Sequence, residues 1–280
     1  TLSFELTVTD VDGLTDTTGV SVDVTGIAPV AVATASNPTP LQGDIVTLNG
    51  AASTDNLGVV AYAWLQTVGT TVVLSDSTSA STTFTAPNTV ETLSFELTVT
   101  DVDGLTDTTT VSVDVTGIAP TVTASVSNVT PVQGEQVTLS SLASDNLGIA
   151  SYSWLQTFGS TVTLSGVTVA SPTFIAPNAL GPLNFTVVVT DTDGLQSSAS
   201  VVMNVTGIAP VAVASVSNVT PLQGDTVTLN GAASTDNLGV VAYAWLQTVG
   251  TTVALSDANS SIATFTAPNT VETLSFELTV

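Results

Sequence analysis

Leu93-Ser94-Phe95-Glu96-Leu97-Thr98-Val99-Thr100-Asp101-Val102-Asp103-Gly104-Leu105 is the stretch that decides the fold. Leu93, Phe95, Leu97 and Val99 alternate with Ser94, Glu96, Thr98 and Thr100, which is the period of a half-buried strand, and Asp101-Val102-Asp103-Gly104 then supplies hairpin-turn chemistry. Val111, Val113 and Val115 alternate with Ser112, Asp114 and Thr116 as the returning strand. Further runs at 30–35, 46–48, 62–66, 72–74 and 82–85 are separated by turn clusters: Gln42-Gly43-Asp44, Asp55-Asn56-Leu57-Gly58 and Ala86-Pro87-Asn88. Seven strands at this spacing predict a small antiparallel β-sandwich. No stretch offers helical periodicity.

The same pattern returns along the chain. Val-Thr-Gly-Ile-Ala-Pro ends at Pro29, Pro120 and Pro210, Trp recurs at Trp64, Trp154 and Trp245, and Phe recurs at Phe4, Phe95, Phe185 and Phe276. The unit is therefore about 90 residues, a period that reads as a tandem array. It divides the chain into a partial repeat over 1–26 holding the last two strands, repeats over 27–117 and 118–207, and a partial repeat over 208–280 holding the strands before the last. Residues 1–8 recur letter for letter as 273–280, so the expectation is a window on a longer array. The connectors are short and carry a Pro whose φ is fixed, which predicts a semi-rigid, extended arrangement.

Composition narrows the chemistry. The 280 residues include 23 acidic side chains and no Lys, Arg, His or Cys, for a formal charge of −23. Nucleic-acid phosphates and anionic membrane surfaces are bound through Lys and Arg, so both partner classes are excluded. Imidazole, thiol and amine are missing as bases or nucleophiles, and disulfides and thiolate metal sites are ruled out. Trypsin has no site to cut. Mean hydropathy is positive at +0.50, yet the apolar runs are far shorter than the roughly 20 residues of a spanning helix, so no membrane insertion is expected in this segment.

Asp55-Asn56-Leu57-Gly58 ahead of Tyr62-Ala63-Trp64, followed by Leu93–Val99 and Thr100-Asp101-Val102-Asp103-Gly104-Leu105, resembles the polycystic-kidney-disease (PKD) type of immunoglobulin-like repeat. The resemblance covers essentially the whole chain. It departs where the family has Trp-Asp-Phe-Gly-Asp-Gly, because this chain has Trp64-Leu65-Gln66-Thr67-Val68-Gly69. The fold it implies is all-β: tandem seven-stranded immunoglobulin-like (PKD-like) β-sandwiches in a linear array. Arrays of this kind are similar to the stalks of bacterial and archaeal surface adhesins and fibres, so the resemblance implies extracellular, cell-surface display.

Two sets of residues stand out. Trp64, Trp154 and Trp245, one per repeat, sit where a sandwich buries an aromatic; the alternative, a carbohydrate-stacking platform, would need them exposed. The second set is acidic. Asp10, Asp12 and Asp16 recur as Asp101, Asp103 and Asp107, and two of the three recur as Asp191 and Asp193, so one type of loop holds eight of the 23 acids. Ca²⁺ takes six to eight oxygen ligands, which clustered Asp can supply. Asp-Gly also simply makes a hairpin turn, but a turn needs one Asp rather than three. In a sandwich the loop holding Asp55 and Asn56 approaches Asp101 and Asp103, and that holding Asp145 and Asn146 approaches Asp191 and Asp193. Asp44 and Glu91 of the preceding repeat are expected at the same junction, with Glu135 but Gly181 at the next. Like charges about 4 Å apart repel by roughly 1 to 4 kcal/mol, and no cationic side chain offers relief. Asn128, Asn184, Asn204, Asn218 and Asn259 fit the N-glycosylation pattern, which arises readily by chance in a Ser/Thr-rich chain.

Three functions of different classes follow. The first is a structural stalk or fibre segment that spaces an adhesive or cell-surface element, with neighbouring repeats, and neighbouring filaments, as its partners. The second is a glycan- or partner-binding adhesion module with Ca²⁺-stiffened repeats, although Trp64–Gly69 and Trp245–Gly250 are identical where recognition surfaces would differ. The third, hydrolysis by paired carboxylates, would repeat an active site in every unit with no binding groups around it. The expectation is therefore a non-enzyme. Strand addition between chains through the amino-terminal segment is a variant of the first.

Overall fold

The computed structural model describes residues 1–280, all strand, turn and coil. β1 (Leu2–Thr9) and β2 (Thr15–Val22) form a hairpin in which Phe4 lies opposite Val20. Residues 27–117 carry β3 (Thr34–Ala35), β4 (Ile45–Asn49), β5 (Val59–Val68), β6 (Ser81–Thr85), β7 (Glu91–Asp101) and β8 (Thr106–Val115). Residues 118–207 carry β9 (Thr121–Val126), β10 (Gln136–Ser144), β11 (Ile149–Phe158), β12 (Thr173–Ile175), β13 (Gly181–Asp191) and β14 (Gln196–Val205). Residues 208–280 carry β15 (Ser215–Val216), β16 (Thr226–Asn230), β17 (Ala244–Val249), β18 (Ile262–Thr266) and β19 (Ser275–Thr279).

In residues 27–117 the strands form two open three-stranded sheets, β3-β4-β6 and β5-β7-β8. Alternation decides which side chains meet between them. Leu93, Phe95, Leu97 and Val99 of β7 are fully buried, and they face Val46 and Leu48 of β4 and Phe84 of β6. The rings of Phe84 and Phe95, one from each sheet, stand 4.8 Å apart and tilted by 36°. Trp64 on β5 is buried in the same core, and its indole N–H donates to the Ser79 carbonyl at 3.1 Å. Trp154 and Trp245 repeat this contact with Val169 and Ser260. All three tryptophans are therefore core residues, and the stacking platform is not formed.

The sandwich has six strands where seven runs were expected. Residues 72–74 follow the strand alternation and Val72 and Leu74 do pack on the core, but they join no ladder. The Gln66 side chain serves this segment instead: its Oε1 accepts from Val72 N at 2.9 Å and its Nε2 donates to Thr70 O at 2.8 Å. Ser77 O then accepts from Trp64 N at 2.8 Å, so the segment covers the free edge of β5 there. The opposite edge is covered at its end. Residues 38–41 run parallel to β8, with Asp114 N donating to Pro38 O and Thr116 N to Pro40 O, both at 2.8 Å. Both edges are thus covered in part, β5 at Trp64 and β8 at its last residues, which shortens the main chain open to pairing with another strand. Of the expected strand at 30–35, only Thr34–Ala35 pairs along β4, while Val30 makes an isolated bridge to Thr54.

The chain packs as two compact units. One comprises residues 1–121, 144–150 and 190–197; the other comprises 122–143, 151–189 and 198–280. The second unit holds all but the strand ends of the sheets β9-β10-β12 and β11-β13-β14, with Phe174 and Phe185 5.1 Å apart, and the sheets β15-β16-β18 and β17-β19, with Phe265 and Phe276 4.9 Å apart.

Candidate functional site

The turn-bearing loops at 53–58 and 101–105 lie at one end of the first sandwich, because Val59 at the start of β5 pairs with Asp101 at the end of β7. Asp101 falls two residues after Val99, in the inward phase of β7, and is only 3% exposed. Its Oδ1 accepts from Asp103 N at 2.9 Å and Leu105 N at 2.8 Å. Gly104, at φ +81°, completes the turn in the left-handed region that glycine alone enters freely. Asp191 repeats the arrangement with Asp193 N and Leu195 N, both at 2.9 Å, and Asp10 Oδ1 accepts from Leu14 N at 2.8 Å. The first Asp of each loop is thus a turn cap held by main-chain N–H groups.

The remaining acids go elsewhere. Asp107 lies on β8 opposite Val99 and its Oδ2 accepts from Ala31 N at 2.8 Å, so it pins residue 31 rather than joining the loop. Asp16 lies on β2 opposite Val8, and Asp12 and Asp103 are exposed. Asp55 Oδ2 caps its own turn through Leu57 N at 2.7 Å and Gly58 N at 3.0 Å, Asp145 does so through Leu147 N at 2.8 Å, and Asn56 is exposed. No three acid side chains converge closely enough to hold a metal ion. Two carboxylate oxygens stay buried without a hydrogen-bond partner, Asp55 Oδ1 and Asp191 Oδ2.

The acids expected from the preceding repeat also stay within their own. Asp44 Oδ2 accepts from Leu41 N at 2.9 Å. Glu91 turns to Thr70 and Thr89, and the Thr70 hydroxyl, ahead of that of Thr89 and the Thr70 N–H, holds its carboxyl below the usual glutamate range. Glu135 is lowered by the Asn128 amide first and Val132 N–H second. A carboxyl that titrates lower when folded adds stability that is complete above its unfolded value and drains away as pH falls through the folded one.

Gln42, a residue with no signal in the sequence, reaches the junction instead. Its Nε2 donates to Asp193 Oδ2 at 2.6 Å and to Asn88 O at 3.0 Å, and its Oε1 accepts from Asn146 Nδ2 at 2.9 Å. A groove of about 600 Å³ runs along residues 208–280, lined by Val216, Val227, Trp245, Phe265, Leu274 and Phe276. Their counterparts Val46, Trp64, Phe84, Leu93 and Phe95 close the core of residues 27–117 together with Val113 and Val115 of β8. The groove is therefore sandwich interior on the side that β8 covers in 27–117, and no reactive group set lines it.

Two-sheet sandwiches of this connectivity, repeated along one chain with turn-capping Asp at one end, define tandem immunoglobulin-like modules. More narrowly, the chain belongs to the family described as K319L-like, PKD domain, which matches residues 38–115, 126–205 and 216–280. It is similar to the mouse dyslexia-associated protein KIAA0319-like protein, 32% identical over an alignment of 253 residues that covers 83% of this chain and 23% of that protein. The human dyslexia-associated protein KIAA0319 is 30% identical over 88% of this chain and 24% of its own length. The chain thus spans about a quarter of the length of the curated relatives it matches. These relatives are mammalian, and a bacterial or archaeal origin finds no support among them. Among solved structures, the PKD domain from KIAA 1837 protein is 30% identical, covering 35% of this chain and 92% of that one, with a TM-score of 0.29. The eight amino-terminal Ig domains of Down Syndrome Cell Adhesion Molecule are 11% identical, covering 96% of this chain and 36% of that one, with a TM-score of 0.36.

Proposed function

We propose that this segment is a structural spacer of an extracellular, cell-surface protein, a stalk that holds an adhesive or recognition element away from its anchor and performs no catalysis. The observation that carries the reading is the junction: loops 144–150 and 190–197 of one repeat belong to the same compact unit as residues 1–121 of the repeats before it. Repeats that seat their turns on the preceding module are suited to transmitting position along a chain. The partners on this reading are the adjoining repeats, and neighbouring filaments where such chains lie side by side. Small-angle X-ray scattering tests it. A compact chain of this length would have a radius of gyration of about 19 Å, and a spacer should exceed that clearly. A value near the compact limit would remove the reading.

A second reading adds Ca²⁺ at the Asp end of each sandwich, and the buried, unpartnered Asp55 Oδ1 and Asp191 Oδ2 favour it. With no three carboxylates converging, Asp55 with Asp101, and Asp145 with Asp191, would need main-chain and amide oxygens to complete a shell of six or more. Titration calorimetry with CaCl₂ should then give saturable heat at millimolar concentration or below. Absence of heat, with unchanged unfolding in chelator, would end this second reading without touching the first.

A further inference from the structure

We infer that Gln42 with Asn146, and Gln133 with Asn237, form two copies of one side-chain clasp by which each repeat recognises the one that follows it. Both pairs are 104 residues apart, and in both the asparagine Nδ2 donates to the glutamine Oε1, at 2.9 Å and 3.1 Å. Both glutamines are buried, at 5% and 6% exposure, although glutamine is ordinarily a surface residue. A buried amide that left its groups unpaired would cost about 1 to 3 kcal/mol, so its position calls for partners.

The main chain prepares the donor side. Gln42 ends the segment that runs parallel to β8, and its N–H donates to Thr116 O at 3.0 Å. Gln133 does the same to Thr206 O at 3.1 Å. With the backbone fixed, one amide hydrogen reaches a carbonyl of its own repeat, Asn88 for Gln42 and Asn178 for Gln133. For Gln42 the other reaches Asp193 of the following repeat, a charge-assisted bond. The orientation of Asn146 follows from the same arrangement. With Nδ2 toward Gln42 the Asn146 Oδ1 lies 3.1 Å from both Asp145 oxygens, whereas turning the amide over would set Oδ1 against Gln42 Oε1 at 2.9 Å; Asn237 has the donating orientation at the equivalent position. Packing supports the contact beside it: a Cβ on connector residue Gly117 would fall 2.8 Å from Leu195 Cδ1 and 3.4 Å from Asp193 Oδ2. The surface is therefore built for one partner, a further copy of this repeat presenting Asn in its first turn and Asp in its second.

Hydrogen exchange on the whole chain tests the clasp, because the peptides around 144–150 and 190–197 differ in sequence from their counterparts. In Gln42→Ala those two segments should exchange about tenfold or more faster, the scale of losing hydrogen bonds to an ionised partner. Residues 81–85 in the core of the altered repeat, and residues 131–136 around Gln133 at the other clasp, whose sequences occur once in the chain, should keep their protection. Asn146→Ala alters only an exposed turn residue and should open the same segments, and the double variant should open them little further than either single one. Unchanged exchange in both single variants, or fully additive effects, would overturn the inference. Should Gln42→Ala also release residues 81–85, the Asn146→Ala result decides alone.

Discussion

Phe95→Ala should cost residues 27–117 about 3 to 5 kcal/mol, read as an early transition in a denaturant titration of the whole chain. Phe95 is fully buried at the centre of β7, and its ring meets that of Phe84 across the gap between the sheets. Removing it takes away the transfer free energy of a large side chain and leaves a cavity that two hydrogen-bonded sheets cannot collapse to fill. Whole domains are stable by only about 5 to 15 kcal/mol, so this single change takes a large share. Leu65, on the other face of the same sheet and 62% exposed, provides the control. Leu65→Ala should stay within about 0.5 kcal/mol. Equal losses at the two positions would mean that the burial pattern of this sheet is wrong.

Asp101→Ala should be nearly as damaging, at about 3 kcal/mol, for a different reason. The carboxylate takes two main-chain N–H groups at the turn joining β7 to β8, and its removal leaves both donors without a partner at a site that is 3% exposed. Asp101→Asn keeps an oxygen where Oδ1 stands and should recover most of that loss. The pair of variants separates turn capping from cation binding. If capping is the whole role, Asn restores stability and Ca²⁺ makes no difference to either protein. If the second oxygen also serves a metal, Asn restores stability in chelator but loses the gain on adding Ca²⁺. An Asn variant as unstable as Ala, with and without Ca²⁺, would contradict the capping geometry itself.

Much of the fold was legible in the sequence because the information is periodic. The alternation of Leu93, Phe95, Leu97 and Val99 places every inward side chain of β7, and it extends to Asp101, whose burial follows from the same phase. The edge segment at 72–74 misled for the same reason: Val72 and Leu74 do point at the core, but a strand also requires a partner for its main chain, and a glutamine side chain took that place. Hydrogen-bond partners across a fold are not periodic. That is why Asp107 could be read with the loop when it in fact holds Ala31, and why Glu91 was expected at the junction when hydroxyls of its own repeat claim it. Gln42 gives no such signal, because an uncharged amide in a turn looks like any loop residue. What distinguishes it is burial, together with a partner 104 positions away.

The partial covering of the β5 and β8 edges bears on how such a chain refolds after it has been opened. Residues 1–29 and 92–120 differ at a single position, Gly19 against Thr110, so an opened stretch of chain refolds beside near-copies of its own strands. Interchange of equivalent hairpins between neighbours is the natural hazard. A module whose β5-β7-β8 sheet is covered at Trp64 and at Asp114–Thr116 by its own residues 70–77 and 38–41 offers a wandering strand a shorter edge to attach to, which favours each length of chain returning to its original place.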